Sequence, residues 1–208
     1  MGERRSRARG LSLREAFSAP QTPQDVFARL PVLETPRLIL RPLIMRDAQD
    51  IYDYSCDPEV ARHVLWDAHR SVADSRAYLR FILRQYREGM PSSYGIVLKA
   101  TGRVVGTIGF MWYQSDNQTC EVGYSLARSL WNNGLMTEAL QALIDMAFDR
   151  LPLNRIEAQH DVANPSSGRV MLKCGMRYEG TLRGRIFNKG RYVDVALYAI
   201  LRRDREHR

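Results

Sequence analysis

Cysteine is scarce in this chain. Only Cys56, Cys120 and Cys174 occur among 208 residues, and no two form a CxxC pair. An odd, widely spaced set excludes a disulfide framework and a thiolate zinc site. Histidine does not compensate, because His63, His69, His160 and His207 are equally scattered, so no metal is expected. Long apolar runs are also missing, with nothing near the ~18 consecutive apolar residues that cross a bilayer. The opening MGERRSRARG has charge but no apolar segment behind it, which argues against a signal peptide. A cytoplasmic protein without a membrane span is the expectation. No internal repeat is present.

What is there fits one domain with a substantial core plus tails, since 45% of the residues are hydrophobic. The net charge of +8 invites a nucleic-acid reading. Its distribution weakens that reading. Residues 1–30 hold six Arg against three acids, and residues 201–208 hold four Arg against two, so +5 of the +8 lies at the ends. Nucleic acid is therefore not an expected partner, and the basic ends are either solvated tails or docking segments for an acidic surface. Residues 1–32 are expected to be a basic extension, disordered over 1–10, with short helical pieces over 13–19 and 23–30. A globular domain is expected over 33–208.

In LETPRLILRPL, Leu38 and Leu40 alternate with Arg37, Ile39 and Arg41, which predicts a strand leading into the helix MRDAQDIYDYS. DPEVARHVLWDAH follows, with Asp57 placed to cap a helix and Pro58 at its first position. A longer helix over 71–88 has Ser71 as cap and Tyr78, Leu79, Ile82 and Tyr86 at helical spacing, and Gly89 and Pro91 end it. SYGIVLK and RVVGTIGFMWY, separated by Ala-Thr-Gly, form a hairpin signal. SDNQT is a polar turn. Later come the strand NRIEAQHDV, the short helix NPSSGRVMLKCG and a last hairpin around Asn188-Lys189-Gly190. This mixed order predicts an α/β (α+β) sheet of about seven strands, mostly antiparallel.

The most informative stretch is CEVGYSLARSLWNNGLMTEALQALIDMAF, from Cys120 to Phe148. Cys120, Val122, Tyr124 and Leu126 alternate with Glu121, Gly123 and Ser125, which makes a strand with two distinct faces. From Met136 the period changes: Met136, Ala139, Leu140, Leu143, Ile144 and Ala147 follow helical spacing. Between them Gly134 lets backbone approach a ligand closely, and the uncapped amides of the helix's first turn carry partial positive charge. Such a turn can cradle a phosphate.

WNNGLMTEAL resembles the pyrophosphate loop of the GNAT acetyltransferases, Q/R-x-x-G-x-G/A, in its RimJ/RimL-type form. Trp131 stands in place of Gln or Arg, and Met136 in place of the second small residue, where it would narrow the loop. LETPRLILRPL, DPEVARHVLW, NPSSGRVMLKCGMRYEG and the terminal series Gly190, Asp194, Tyr198 and Leu201 are similar to four further segments of that family, in the same order. The resemblance covers residues 33–202. It implies the GNAT fold: a central, mostly antiparallel seven-stranded sheet, flanked by helices and splayed between its fourth strand, CEVGYSL, and its fifth, NRIEAQHDV.

The resemblance also implies acetyl-CoA as co-substrate and a primary amine as acceptor. Tyr124, Leu126 and Ala127 would offer backbone to the pantetheine arm, with an unpaired amide near Leu126 polarising the thioester carbonyl. Arg128, Trp131, Asn132, Asn133, Gly134, Leu135, Met136 and Thr137 would receive the phosphates, with Lys173 a further cation for them. Asn164 is either a helix cap or an acyl-CoA contact, and Ser167 would protonate the leaving thiolate. Glu121 is the carboxylate candidate for general base, beside a water relay, with His160 and Asp161 as candidates to act through a water. Ile186 stands where some relatives carry a Glu. Trp66, Trp112 and Tyr113 are candidates either to line the acceptor cleft or to pack in the core or on the surface. The acceptor implied is a protein N-terminal α-amine, as on a ribosomal protein. A small amine (amino acid, polyamine or aminoglycoside) and a non-catalytic acyl-CoA- or ribosome-binding role are the alternatives. Oligomeric state stays open, a homodimer included.

Overall fold

Eight strands join in one sheet in the computed structural model, which describes residues 22–205. The order is β1-β2-β3-β4-β5-β6-β8-β7, with β1 Leu33–Glu34, β2 Leu38–Pro42, β3 Ser93–Leu98, β4 Arg103–Gln114, β5 Thr119–Leu126, β6 Arg155–Asp161, β7 Arg177–Asn188 and β8 Arg191–Leu201. Every neighbouring pair is antiparallel except β5 with β6. The strand beyond the expected seven comes from LETPRLILRPL, which folds back on itself so that Leu33 pairs with Leu40. Pro36 has no amide to continue a ladder, and Thr35 closes the turn by donating its N–H to Leu38 O at 3.0 Å.

The helices are α1 Pro23–Ala28, α2 Ala48–Ser55, α3 Pro58–Ala61, α4 Val72–Glu88, α5 Leu135–Arg150, α6 Pro165–Lys173 and α7 Arg202–Arg205. Their ends follow local chemistry. Asp57 Oδ1 accepts the Glu59 N–H at 2.9 Å, with Pro58 at the first position of α3. A capping box of Ser71 and Asp74 starts α4, and Gly89 in the left-handed region ends it. The stripe Leu135, Met136, Ala139, Leu140, Leu143, Ile144 and Ala147 on α5 is buried. It forms one core with Tyr94, Ile96, Ile108, Phe110, Cys120 and Val122 of the sheet.

The two faces of β5 look onto different helices. The Tyr54 hydroxyl of α2 sits beside Thr107 and Ser125, whereas Tyr124 donates its hydroxyl to Ser167 O on α6 at 3.0 Å. Because neighbouring residues of a strand point oppositely, α2 and α6 lie on opposite sides of the sheet. Glu121 and Gly123 share the α2 side with Ser125.

The start of the domain differs from the expectation. Val26, Phe27 and Leu30, assigned to the extension over 1–32, are buried in the main core. Phe27 meets Phe110 and Tyr113 edge-on, with ring centroids 5.3 and 5.6 Å away. Of the two readings of Tyr113, this contact with α1 is the packing one. Three apolar residues outweigh a basic surrounding sequence once they can be buried. The expectations of disorder over 1–10 and of helical turns over 13–19 lie outside the described residues.

This packing has a measurable consequence. Phe27→Ala is expected to lower the urea unfolding free energy by about 3–5 kcal/mol. A loss below about 1 kcal/mol would show that α1 is dispensable to the core.

Candidate active site

β5 and β6 pair for only three residues, Thr119 with Arg155, Cys120 with Ile156 and Glu121 with Glu157. Beyond Glu121, β5 continues along β4 to Leu126 while β6 follows β8 to Asp161. The result is a wedge-shaped gap. Ala127 donates its N–H to Val105 O on β4 at 2.8 Å, and antiparallel pairing alternates. The peptide groups of Val122, Tyr124 and Leu126 therefore point away from β4; the Val122 N–H closes the last rung of the ladder to β6, and those of Tyr124 and Leu126 face the gap. Tyr124 and Leu126 fit the expected backbone offer, but Ala127 does not, because its amide is committed to β4. Tyr124 also braces the gap from beneath. Burial pushes its phenol well above the usual tyrosine range, and its hydroxyl ties β5 to α6.

At the wide end of the gap lies the turn before α5. Gly134 has φ +75 as the N-cap residue of α5, and no side chain caps that helix. A Cβ there would cost strain at such a φ. Among the described residues no acceptor takes the amides of Leu135, Met136 and Thr137, the first turn's donors. Trp131, Asn132, Asn133 and Gly134 are all exposed. Met136 does not narrow the loop, because its side chain is buried under the helix at 7% exposure. Trp131 acts differently from a Gln or Arg: its indole N–H donates to Leu126 O at 2.8 Å, so that carbonyl already has one donor.

The loop is tied to the first hairpin by residues the sequence reading did not single out. Glu138 Oε1 accepts from Thr35 Oγ1 at 2.6 Å and from Arg37 N at 2.8 Å, and its Oε2 accepts from Arg37 Nε at 2.7 Å. Arg37 Nη1 donates in turn to Asn133 O at 2.9 Å. Burial alone would raise the Glu138 carboxyl, but the bonds from Thr35 and Arg37 outweigh it and hold the group below the usual range. Arg37 thus offsets a carboxylate that would otherwise face any phosphate held by the loop. Arg128 is placed elsewhere, exposed and 4.0 Å from Asp57. Lys173 is exposed at the end of α6.

On the far side of the gap α6 begins. Asn164 occupies its N-cap position without a side-chain cap bond, and its amide donates to Ser167 Oγ at 3.1 Å instead. That leaves the Ser167 hydroxyl proton free to be given elsewhere.

Glu121 sits at the vertex, the last residue of β5 to pair with β6. A bulge in β4 between Phe110 and Trp112 sets Trp112 opposite it. The indole N–H donates to Glu121 Oε2 at 2.9 Å, and Gln159 Nε2 donates to both carboxylate oxygens at 3.1 and 3.2 Å. Burial raises the Glu121 pKa, and these two bonds only partly counter it. Such a carboxylate is suited to taking a proton. In front of it the α2 side is open and mildly apolar, with Met111 51% and Trp112 37% exposed. Trp66 lies near His69 with the rings tilted, 5.7 Å between centroids.

Further along the same face of β6, Asp161 meets His63 at 3.0 Å. His160 turns its Nδ1 to Asp161 O at 2.7 Å, and its Nε2 is buried without a partner. Ile186 pairs with Val193 in the last hairpin. Among the described residues no three potential ligands cluster around a metal position, and no helix is long and apolar enough to cross a membrane.

Comparison with known proteins gives a consistent result. A profile described as acetyltransferase (GNAT) domain matches residues 37–177. The chain is 36% identical over 172 residues to the "Uncharacterized N-acetyltransferase p20" of Bacillus licheniformis, covering 83% of this chain and 97% of that one. To the ribosomal-protein-serine acetyltransferase of Escherichia coli (strain K12) it is 38% identical over 96 residues, which is 46% of this chain and 54% of that one. It superposes on RimL, the ribosomal L7/L12 alpha-N-protein acetyltransferase, in complex with coenzyme A, with TM-score 0.74. That last likeness, at 21% identity over 82% of this chain and 98% of the other, is one of fold.

The tie between Arg37 and Glu138 can be tested directly. Arg37→Met leaves Glu138 uncompensated at the mouth of the loop and is expected to weaken coenzyme A binding at least about tenfold by calorimetry. An unchanged affinity would show that the tie is irrelevant to the ligand.

Proposed function

This chain belongs to the GNAT acetyltransferase family and is an N-acetyltransferase, and on that premise we propose that it acetylates protein N-terminal α-amines from acetyl-CoA by direct attack. The observation that carries the reading is the gap itself. Inward-facing peptide groups line one wall, free helix-start amides lie at its wide end, and a proton-binding carboxylate sits at its vertex.

The residues present suit a coenzyme A thioester. The amides of Leu135, Met136 and Thr137 match a diphosphate in charge and donor count. An extended pantetheine arm can add to the free side of β5 as an extra strand. The N–H of Tyr124 or Leu126 then lies beside the thioester carbonyl and stabilises the oxyanion as it forms. The amine enters from the α2 side, where Glu121 faces the opening. Its nitrogen bonds to the acetyl carbon, Glu121 accepts a proton from that nitrogen directly or through water, and the C–S bond breaks. Ser167 gives its hydroxyl proton to the departing sulfur and regains one from solvent. Both substrates are present together, so no acyl-enzyme is needed.

The open, mildly apolar approach favours a peptide end over a polycation, which would call for a carboxylate-lined pocket. The ribosomal-protein acetyltransferase among its relatives points the same way. A screen of peptides and small amines with acetyl-CoA, read by product mass, tests this. Acetylated peptide N-termini are expected, and acetylation of small amines alone would replace the acceptor assignment. CoA binding without thiol release would favour a non-catalytic role.

Glu121→Gln separates chemistry from folding. The wild-type acid limb of kcat/KM is expected above the usual carboxylate range, because Glu121 must lose its proton to act. The variant should lose about 100-fold or more near neutral pH. A carboxyl whose folded pKa is raised stabilises the fold at low pH, and that contribution is lost as pH rises through the folded pKa. The variant should therefore unfold at neutral pH no more readily than wild type. Unchanged turnover would transfer the role to a water relay.

A further inference from the structure

The face of β6 that carries Gln159 also carries Asp161 two residues on, about 7 Å along the strand. Asp161 is buried, with 7% exposure, and both its oxygens are occupied. Oδ1 accepts the Ala163 N–H at 2.9 Å, and Oδ2 lies 3.0 Å from His63 Nδ1. Burial alone would raise this carboxyl, but the bonds from His63 and Ala163 outweigh it and hold it below the usual range. An ionised carboxylate only accepts, so His63 Nδ1 carries a proton, and in the neutral ring Nε2 is then the acceptor. Nε2 has no partner among the described residues and is not a buried atom lacking one, so it opens to solvent.

The ring is held there from two directions. Asp161 fixes its Nδ1, and the loop after α3 is pinned by the tip of the last hairpin. Lys189 Nζ donates to the carbonyls of Ala61, Val64 and Trp66 at 2.9, 2.7 and 3.1 Å, and Asn188 Nδ2 donates to Val64 O at 3.3 Å. The charged groups around the pair are Arg62 beside His63 on its own loop, bound to Glu59, Lys189 on the hairpin, and Arg191 on β8, which acts on Asp161. Gln159, two residues before Asp161 on this face of β6, donates to Glu121.

Acylation of an amine needs two protons removed from nitrogen. An N-terminal amine arrives largely as ammonium at neutral pH, and attack by the neutral amine leaves a cationic nitrogen that must lose one of its two remaining protons. Glu121 can take one of these. We propose that His63, oriented by Asp161, takes the other: its Nε2 accepts the ammonium proton of the incoming acceptor before attack. The step converts R–NH3⁺ and imidazole into R–NH2 and imidazolium, with the new positive charge set against the Asp161 carboxylate. Glu121 then receives the proton released as the C–N bond forms. His63 is a catalytic residue in this scheme and Asp161 a positioning residue. The inference rests on the acyl-transfer reading above.

The experiment compares wild type, His63→Gln, His63→Ala and Asp161→Asn, using acetyl-CoA and peptides with free N-terminal Ser or Ala, with thermal midpoints to establish folding. His63→Gln is expected to lose about tenfold or more in kcat/KM at about pH 6.5. The deficit should close towards about pH 9, where the amine has deprotonated without help. Asp161→Asn should show the same pH-dependent deficit with smaller amplitude, and added imidazole should restore turnover to His63→Ala. A loss independent of pH and unrelieved by imidazole in a folded variant would reduce the pair to a structural tie and overturn the proposal. If His63→Gln and His63→Ala do not fold, Asp161→Asn decides by the same pH criterion. Absence of wild-type turnover with every amine would overturn the acyl-transfer reading and this inference together.

Discussion

Everything at the site depends on where the pairing of β5 with β6 stops. A parallel ladder satisfies peptide groups on both strands, and ending it at Glu121 leaves the amides of Tyr124 and Leu126 without a strand partner. Unpaired backbone is costly when buried, so the gap is stable only because it is open to solvent or ligand and because something prevents the strands from closing. Tyr124 supplies the prop. Its ring fills the space under the gap, and its hydroxyl bond to Ser167 O sets the position of α6. The same brace that holds the strands apart also fixes the backbone of Ser167, the residue proposed to protonate the leaving sulfur.

A second constraint acts at the phosphate end. Helix-start amides bind an anion well only if the loop leading into them stays exposed and no nearby carboxylate repels the ligand. Glu138 lies in that first turn, and Thr35 and Arg37 both satisfy it and anchor it to the opposite edge of the sheet. The opening hairpin therefore does more than begin the fold. It neutralises the one acid of the first turn and holds Asn133, so that the donors of α5 stay aimed outward.

Much of this was legible locally and some was not. The change from alternating to helical spacing across Gly134 placed β5 and α5, and the Asp57 and Gly89 end signals were read correctly because capping depends on neighbouring residues only. Pro36 split a run that alternation alone made continuous. Residues 23–30 were grouped with a basic tail because composition says nothing of what an isolated Phe27 will meet. The loop pattern predicts an obstruction at Met136 because it does not show which way a side chain turns. The partnerships of Arg37 with Glu138 and of His63 with Asp161 join residues about a hundred positions apart. No spacing rule reaches that far, so these pairs became visible only when the sheet brought their elements together.

The central claim is that the gap-facing amides are free in the unliganded protein and are taken up by an acyl-CoA. Hydrogen exchange resolved to single residues measures this directly. The expected result is fast exchange at Tyr124, Leu126, Leu135, Met136 and Thr137 in the free protein, with protection at these positions on adding acetyl-CoA and little change along β4. Slow exchange at these amides without ligand, or no protection by acetyl-CoA, would contradict it.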